Sequence, residues 1–233
     1  MKHAAPAYAL LALCCAVTSV AAVADDSLQG LQARIDQASA SFKGMSADVN
    51  YIVHTAVIDD DSKESGTLVM KKVSATQVEA KIDFSQPNPR TALFQGRQAQ
   101  VYYPKTKTLQ IYDLGNKGDQ VDRFVMLGFG TSGKELANDY AMRIAGSDTV
   151  AGKSTSKLEL IPKAPDIKKL VSKIEMWIPD APAQPYPVQE KIYEPSGDYR
   201  VTAYSNFKLN PPLSSDALKL KLPKGVNVEH PQK

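Results

Sequence analysis

The chain has 233 residues, a formal net charge of +3 and a hydrophobic content of 43%. Neither this small charge nor any long basic run indicates nucleic-acid binding. Both cysteines, Cys14 and Cys15, lie near the N-terminus, so a chain processed beyond them has neither disulfides nor thiolate chemistry.

The N-terminus has the pattern of a secretory signal peptide. A basic start at Lys2 is followed by an apolar stretch over residues 8–23 and by small residues ending at Ala24. This stretch is shorter than the ~20 residues that a membrane-spanning helix needs. We therefore expect residues 1–24 to be removed on export, and residues 25–233 to form a single soluble domain outside the cytoplasm.

Lipid modification of Cys14 is the alternative fate of this segment. Lipoprotein signals carry a small residue directly before the modified cysteine, whereas this chain has Leu13 there. A lipidated Cys14 would anchor the protein to a membrane instead of releasing it.

The periodicity predicts one N-terminal helix followed mostly by strands. Ser27 precedes apolar residues at helical spacing, which predicts a helix over residues 26–42. Beyond it, apolar and polar residues alternate with period two, as in an antiparallel meander with one buried face. We expect a mainly β, α+β fold, with short helices at residues 121–127 and 134–138 and a last strand within residues 214–222.

A set of residues, apolar except for Lys72, is predicted to line a continuous face of a curved sheet. A helical segment is predicted to cover this face. Periodicity alone does not distinguish a filled core from a cavity that holds a ligand. The predicted lining consists of Leu68, Met70, Lys72, Val78, Ile82, Phe84, Leu93, Val101, Tyr103, Leu109 and Ile111, with Phe124 and Leu127 from the covering segment.

Lys72 has two interpretations. It shares a predicted strand face with Leu68 and Met70, so its apolar stem can pack while its ammonium reaches water at the strand end. Alternatively, it is a cation at the lip of an apolar cavity, where it meets a polar head group.

A glycine-rich stretch, Gly128 to Gly133, matches the dinucleotide-binding pattern G-x-G-x-x-G. That pattern requires a preceding strand and a following helix that receives the pyrophosphate, whereas the residues before Gly128 are predicted to be helical. A loop between two helices is the better interpretation, with Gly128, Gly130 and Gly133 as hinges of a movable lid.

Catalytic and metal-binding patterns are weak. The acidic stretch 59–61 lacks the remaining ligands of a calcium loop, and His54 and His230 lie in no metal-ligand motif. We find no nucleophile elbow and no zinc-protease motif. We therefore predict no metal, no cofactor and no catalysis.

Four stretches resemble the LolA family, the periplasmic carriers of outer-membrane lipoproteins, and its wider superfamily. They are the helix Leu28–Asp36, the segment Gly66–Lys72 with its terminal basic pair, the segment Gly96–Pro104 with a glycine, two tyrosines and a proline, and the closing segment Leu220–Glu229.

The resemblance implies an incomplete antiparallel β-barrel, closed by helices around an apolar cavity that shelters acyl chains. It also implies a periplasmic location, acylated lipoproteins or lipids as cargo, an inner-membrane releasing transporter and an outer-membrane acceptor as partners, and a monomer. Where these carriers have arginine followed by proline, this chain has Lys72 followed by Val73, and lysine lacks the planar fork of arginine.

Two other functions remain open. Related folds of the RseB type regulate envelope-stress signalling by binding a membrane-anchored anti-sigma factor, although such sensors normally carry a second C-terminal domain. An exported enzyme is the other alternative, and no catalytic constellation favours it.

Overall fold

The computed structural model describes residues 27–115, 118, 124–181 and 184–232. The predicted signal peptide, Cys14 and the first half of the predicted helix at 121–127 lie outside these residues.

Twelve strands account for about half of the described residues. They are β1 (Gly44–Thr55), β2 (Asp60–Lys72), β3 (Val78–Gln86), β4 (Arg90–Gln95), β5 (Gln98–Tyr103), β6 (Thr108–Asp113), β7 (Tyr140–Val150), β8 (Lys153–Pro162), β9 (Lys173–Pro179), β10 (Gln189–Tyr193), β11 (Tyr199–Leu209) and β12 (Asn227–Glu229).

Helices α1 (Leu28–Ser41), α2 (Gly133–Asp139) and α3 (Pro165–Lys168) accompany the strands. The Ser27 side chain caps α1 by accepting a hydrogen bond from the Gly30 amide at 3.0 Å. α2 begins with a capping box, in which Ser132 and Glu135 satisfy each other's backbone amides. The first two helices lie where the periodicity predicts them, within two residues.

All twelve strands form one curved, unclosed sheet in the order β12-β6-β5-β4-β3-β2-β1-β11-β10-β9-β8-β7. It consists of two antiparallel meanders joined where β1 pairs with β11. β7 and β12 are its edge strands, and β12 runs parallel to β6. The mainly β, antiparallel fold is confirmed; the last strand is Asn227–Glu229, so the prediction of a strand within residues 214–222 is wrong.

The inner face of the sheet, which carries Met45, Ala47 and Val49 on β1, holds two hydrophobic clusters. The first lies over the meander β1–β3 and α1, and its buried members are Ala38, Phe42, Met45, Ala47, Val49, Leu68, Met70, Val78, Ala80, Met126, Phe129 and Tyr186. The second lies over β8 and β9, with buried Leu31, Ile35, Leu127, Leu136, Leu158, Leu160, Val171, Ile174, Met176 and Ile178.

The C-terminal segment crosses the outer face of the first meander before it reaches the sheet edge as β12. Gln95 on the outer face of β4 donates a hydrogen bond to the Leu218 carbonyl at 3.2 Å. Leu218 itself is 8% exposed. Apolar residues on both faces of this meander are therefore buried. None of the described helices combines the length and apolar character needed to span a membrane.

Leu218 and Leu222 provide a matched test of this packing. Leu218→Ala should lower the free energy of unfolding by about 2 kcal/mol, because it removes a buried side chain. Leu222→Ala should change it by less than about 0.5 kcal/mol, because Leu222 is 42% exposed. Urea unfolding of both variants measures the difference, and equal effects would contradict the proposed covering role of Leu218.

Candidate functional site

Strand register places most of the predicted lining residues on the inner face. Leu68 pairs with Ile82, Ile82 with Ala92, and Ala92 with Val101, so these positions form a row across four strands. Met70, Lys72, Val78, Phe84 and Tyr103 share this face by the two-residue alternation along their strands.

Leu93, Leu109 and Ile111 lie on the outer face, which corrects the prediction for these three residues. Leu93 pairs with Gln100, and Gln100 pairs with Ile111; Leu109 pairs with Tyr102. On β4 the apolar residues 92–94 are consecutive, so the alternation does not fix the face. If the inward-facing positions of a strand are assigned one residue too early or too late, every side chain is placed on the opposite face.

The covering segment, residues 124–129, divides between the two clusters. Phe124 and Leu127 pack in the second cluster, against α1 and β8–β9, and not over the first meander as predicted. Val125, Met126 and Phe129 pack in the first cluster instead. The segment therefore bridges the two halves of the inner face.

Phe129 is the centre of an aromatic cluster and is 2% exposed. Its ring stacks on Tyr186 at 6.1 Å and on Phe207 at 6.0 Å, and it meets Tyr204 edge-on at 5.2 Å. Phe42 also lies 6.3 Å away, measured between ring centroids. Five rings from the end of α1, the covering segment, β11 and the loop before β10 thus meet at one point of the inner face.

The glycines around Phe129 are positions of close packing. A Cβ atom at Gly128 would lie 2.6 Å from the Glu190 carboxylate and 2.8 Å from Pro187, and Gly128 has φ = +78°. At Gly133 it would lie 2.8 Å from the Gln32 carbonyl oxygen. Amides of Phe129 and Gly130 donate to the Met126 carbonyl at 3.0 and 2.9 Å, which closes a tight turn. This packing requires glycine at Gly128 and Gly133, whereas their role as hinges of a lid stays a prediction.

Burial differs sharply along the inner face of the first meander. Leu68, Met70, Val78 and Ala80 are buried beneath the covering segment and α1. Ile82, Phe84, Val101 and Tyr103, nearer the opposite strand ends, are only half-buried in the part of the chain that the structure describes. The described residues thus leave a partly exposed apolar surface on β3–β5, which is the candidate site.

Lys72 lies at the buried end of this face. It pairs with Val78 next to the β2–β3 turn, and its Nζ donates to the Gly130 carbonyl at 3.4 Å. Lys72 therefore contacts the tight turn that carries Phe129. Neither sequence interpretation included this contact.

A buried carboxyl, Glu190, faces the Gly128 turn from β10. It is 8% exposed, and Tyr204 donates a hydrogen bond to Oε2 at 3.0 Å. Among the described groups, Oε1 has no hydrogen-bond partner. Burial raises the pKa of Glu190 to about 8, and the Tyr204 hydrogen bond only partly offsets it. Glu190 is therefore mainly protonated at neutral pH.

A polar row crosses the opposite, half-buried end of the inner face. Tyr51 on β1 pairs with Glu64 on β2, and Phe84 on β3 pairs with Arg90 on β4. The Arg90 guanidinium binds both Glu64 oxygens, at 2.5 and 2.7 Å, and lies 4.0 Å from the Phe84 ring centroid. This hydrogen-bonded pairing raises the pKa of Arg90.

The sequence pattern did not single out Phe129, Glu190 or Arg90, although it contained signals for two of them. Glycines on both sides of Phe129 indicate that the backbone approaches another element closely. Glu190 alternates with Val188 and Ile192, which indicates an inward-facing carboxyl. Arg90 carries no comparable signal. Within residues 27–115, 118, 124–181 and 184–232, no group of His, Cys, Asp and Glu side chains could hold a metal.

Comparisons with known proteins support the fold. No protein-family model and no curated protein matches the chain. An uncharacterized conserved protein from Thermus thermophilus is 14% identical, covers 87% of this chain and 98% of its own, and has a TM-score of 0.51. MucB is 13% identical with a TM-score of 0.50, over 83% of this chain but only 62% of MucB.

A LolA superfamily protein from Nitrosomonas europaea is also similar, with 12% identity, 83% of this chain and 98% of that protein covered, and a TM-score of 0.40. The predicted mainly β fold, a curved and unclosed sheet with few helices, is confirmed, and the Thermus protein and MucB share it.

Gly128 and Gly225 offer a matched test of the tight turn, since their φ angles are +78° and +74°. Gly225→Ala should cost about 1 kcal/mol of stability from the left-handed backbone alone, because a Cβ there meets nothing within 4 Å. Gly128→Ala should cost a further ~2 kcal/mol, because its Cβ meets Glu190 and Pro187. Chemical denaturation checks both values, and equal losses would show that the turn is loosely packed.

Glu190→Gln should flatten the dependence of stability on pH. Between the unfolded pKa of 4.5 and the folded pKa of about 8, the folded state keeps a proton that the unfolded state has lost. The contribution of this group to the free energy of unfolding is complete below pH 4.5 and is lost as the pH rises towards 8. Glutamine keeps the shape and the acceptor for Tyr204, and it does not ionise.

Thermal melts of the wild type, Glu190→Gln and Glu229→Gln at about pH 5 and about pH 8 test this. Glu229 is exposed on β12, so its variant should keep the wild-type pH dependence. An unchanged pH dependence in Glu190→Gln would refute the assignment of a raised pKa to this carboxyl.

Proposed function

We propose that the protein is a periplasmic carrier that binds the acyl chains of lipoproteins or related lipids and shuttles them from the inner to the outer membrane. The observation that carries this proposal is the row of half-buried apolar side chains, Ile82, Phe84, Val101 and Tyr103, on the inner face of β3–β5. The LolA-like fold supports it.

The physical need for such a carrier follows from the hydrophobic effect. Hiding one acyl CH₂ group from water is worth ~0.8 kcal/mol, so a lipid anchor does not cross an aqueous compartment unaided. An apolar surface on one face of a curved sheet replaces the membrane around the chains.

Division of the inner face into two parts suits reversible binding. The aromatic cluster around Phe129 fills one part and stabilises the fold without a ligand. Acyl chains then occupy the half-buried part on β3–β5, so neither uptake nor release requires the core to unpack. The proposal involves no catalytic step and no cofactor, and it takes the inner-membrane transporter and outer-membrane acceptor of the resembled family as partners.

A periplasmic sensor is the second candidate. The likeness to MucB favours it, and MucB has been solved in complex with MucA, a protein partner. The chain spans 62% of MucB, so the likeness covers only part of that protein. Recovery of a protein partner, with no bound lipid, from the periplasm would favour the sensor over the carrier.

Val101→Asn and Ile111→Asn distinguish the two faces of the sheet. Both side chains are half-buried on neighbouring strands, but Val101 faces inward and Ile111 outward. A polar amide on the inner face should weaken binding of a fluorescent fatty acid about tenfold, whereas the outer-face variant should bind like the wild type. Fluorescence titration measures both affinities.

Two results would count against the carrier. One is a wild-type protein that takes up no fatty acid; the other is an equal loss of binding in both variants, which would point to general destabilisation.

A further inference from the structure

The apolar inner face has chemically different ends, and a head-group site at one of them rests on the proposed carrier function. At one end, Val78 and Ala80 are buried under the covering segment. At the other end, Tyr51, Glu64 and Arg90 border the half-buried Phe84. A lipid whose chains lie against Ile82 and Val101 would therefore have its polar end among these groups.

Arg90 is the cation of this polar end. Its side chain is 21% exposed and that of Glu64 is 11% exposed, so the pair is sheltered but not sealed from solvent. The guanidinium has five N–H donors, and two of them bind Glu64. Its position against the Phe84 ring fixes the guanidinium directly beside the apolar surface.

Lys72, for which a head-group contact is one of the two interpretations of the sequence, lies at the other end of the inner face. Lys72 and Gly66 lie six positions apart on β2, and Gly66 pairs with Phe84. This separation corresponds to roughly 20 Å of strand. Lys72 is also engaged with the Gly130 carbonyl beside the buried core.

We propose that Arg90 binds the anionic head group of the carried lipid, a phosphate or a carboxylate, and that Glu64 occupies this site in the absence of the lipid. Carboxylate and phosphate both match the planar donor fork of arginine, so the bidentate Glu64 contact has the geometry expected of the ligand. The carrier then prefers anionic lipids to neutral ones with the same chains.

Competition against a bound pyrene-labelled diacylglycerol tests this preference. One pair of competitors is phosphatidylglycerol and diacylglycerol with identical chains; the other is oleate and methyl oleate. Each anion should displace the probe at about tenfold lower concentration than its neutral counterpart. A preference in only one pair identifies phosphate or carboxylate as the natural head group.

Arg90→Met should reduce the preference to about twofold or less, and Arg90→Lys should restore only part of it. Glu64→Gln should increase the preference, because it removes the internal carboxylate that competes with the lipid. A purely structural ion pair would not give tighter anion binding when Glu64 is neutralised.

Lys81→Met is the matched control. Lys81 lies on the outer face of β3, and its Nζ forms an ion pair with Oδ2 of Asp83 at 3.2 Å. Its loss should leave the anion preference unchanged. The double variant Glu64→Gln with Arg90→Met keeps the site neutral, so it should lose the preference while its melting temperature stays near that of the wild type.

Equal displacement by anionic and neutral competitors, or an unchanged preference in Arg90→Met, would overturn the head-group assignment while leaving the carrier proposal intact. Failure of any lipid, including the neutral probe, to bind the wild type would refute the carrier itself and the head-group site with it.

Discussion

The insertion of Phe129 between the two halves of the sheet is the contact on which the rest of the structure depends. The covering segment places one ring at the centre of the inner face, packed against four others. Gly128 makes this insertion possible because no side chain fits between the turn and Glu190. Protonated Glu190 and the Lys72 ammonium both adjoin the same turn.

The same insertion determines where a ligand can lie. The cluster around it buries Met45, Ala47 and Val49 on β1 and Leu68 and Met70 on β2. The apolar side chains Ile82, Phe84, Val101 and Tyr103 on β3 and β5 stay half-buried. The buried carboxyl of Glu190 therefore lies at the packed centre. The ion pair Glu64–Arg90 borders the half-buried apolar surface. Under the proposed function, this division gives one domain both a stable core and an apolar surface for acyl chains.

Local patterns predicted the elements better than the faces. Ser27 and the apolar spacing after it predicted α1, and the alternation on β1–β3 predicted both the strands and the inward residues Leu68, Met70 and Ile82. β4 has consecutive apolar residues, so Leu93 could be placed only through its pairing with Gln100. The roles of Lys72 and Arg90 depend on contacts between elements distant in sequence, which periodicity does not contain.

Native mass spectrometry of the protein purified from the periplasm tests the central claim most directly. A carrier should retain acylated cargo, seen as added masses that detergent releases, and Val101→Asn should carry less of it than Ile111→Asn. A wild-type protein recovered only at the mass of its own chain, and unable to take up acyl chains afterwards, would contradict the account.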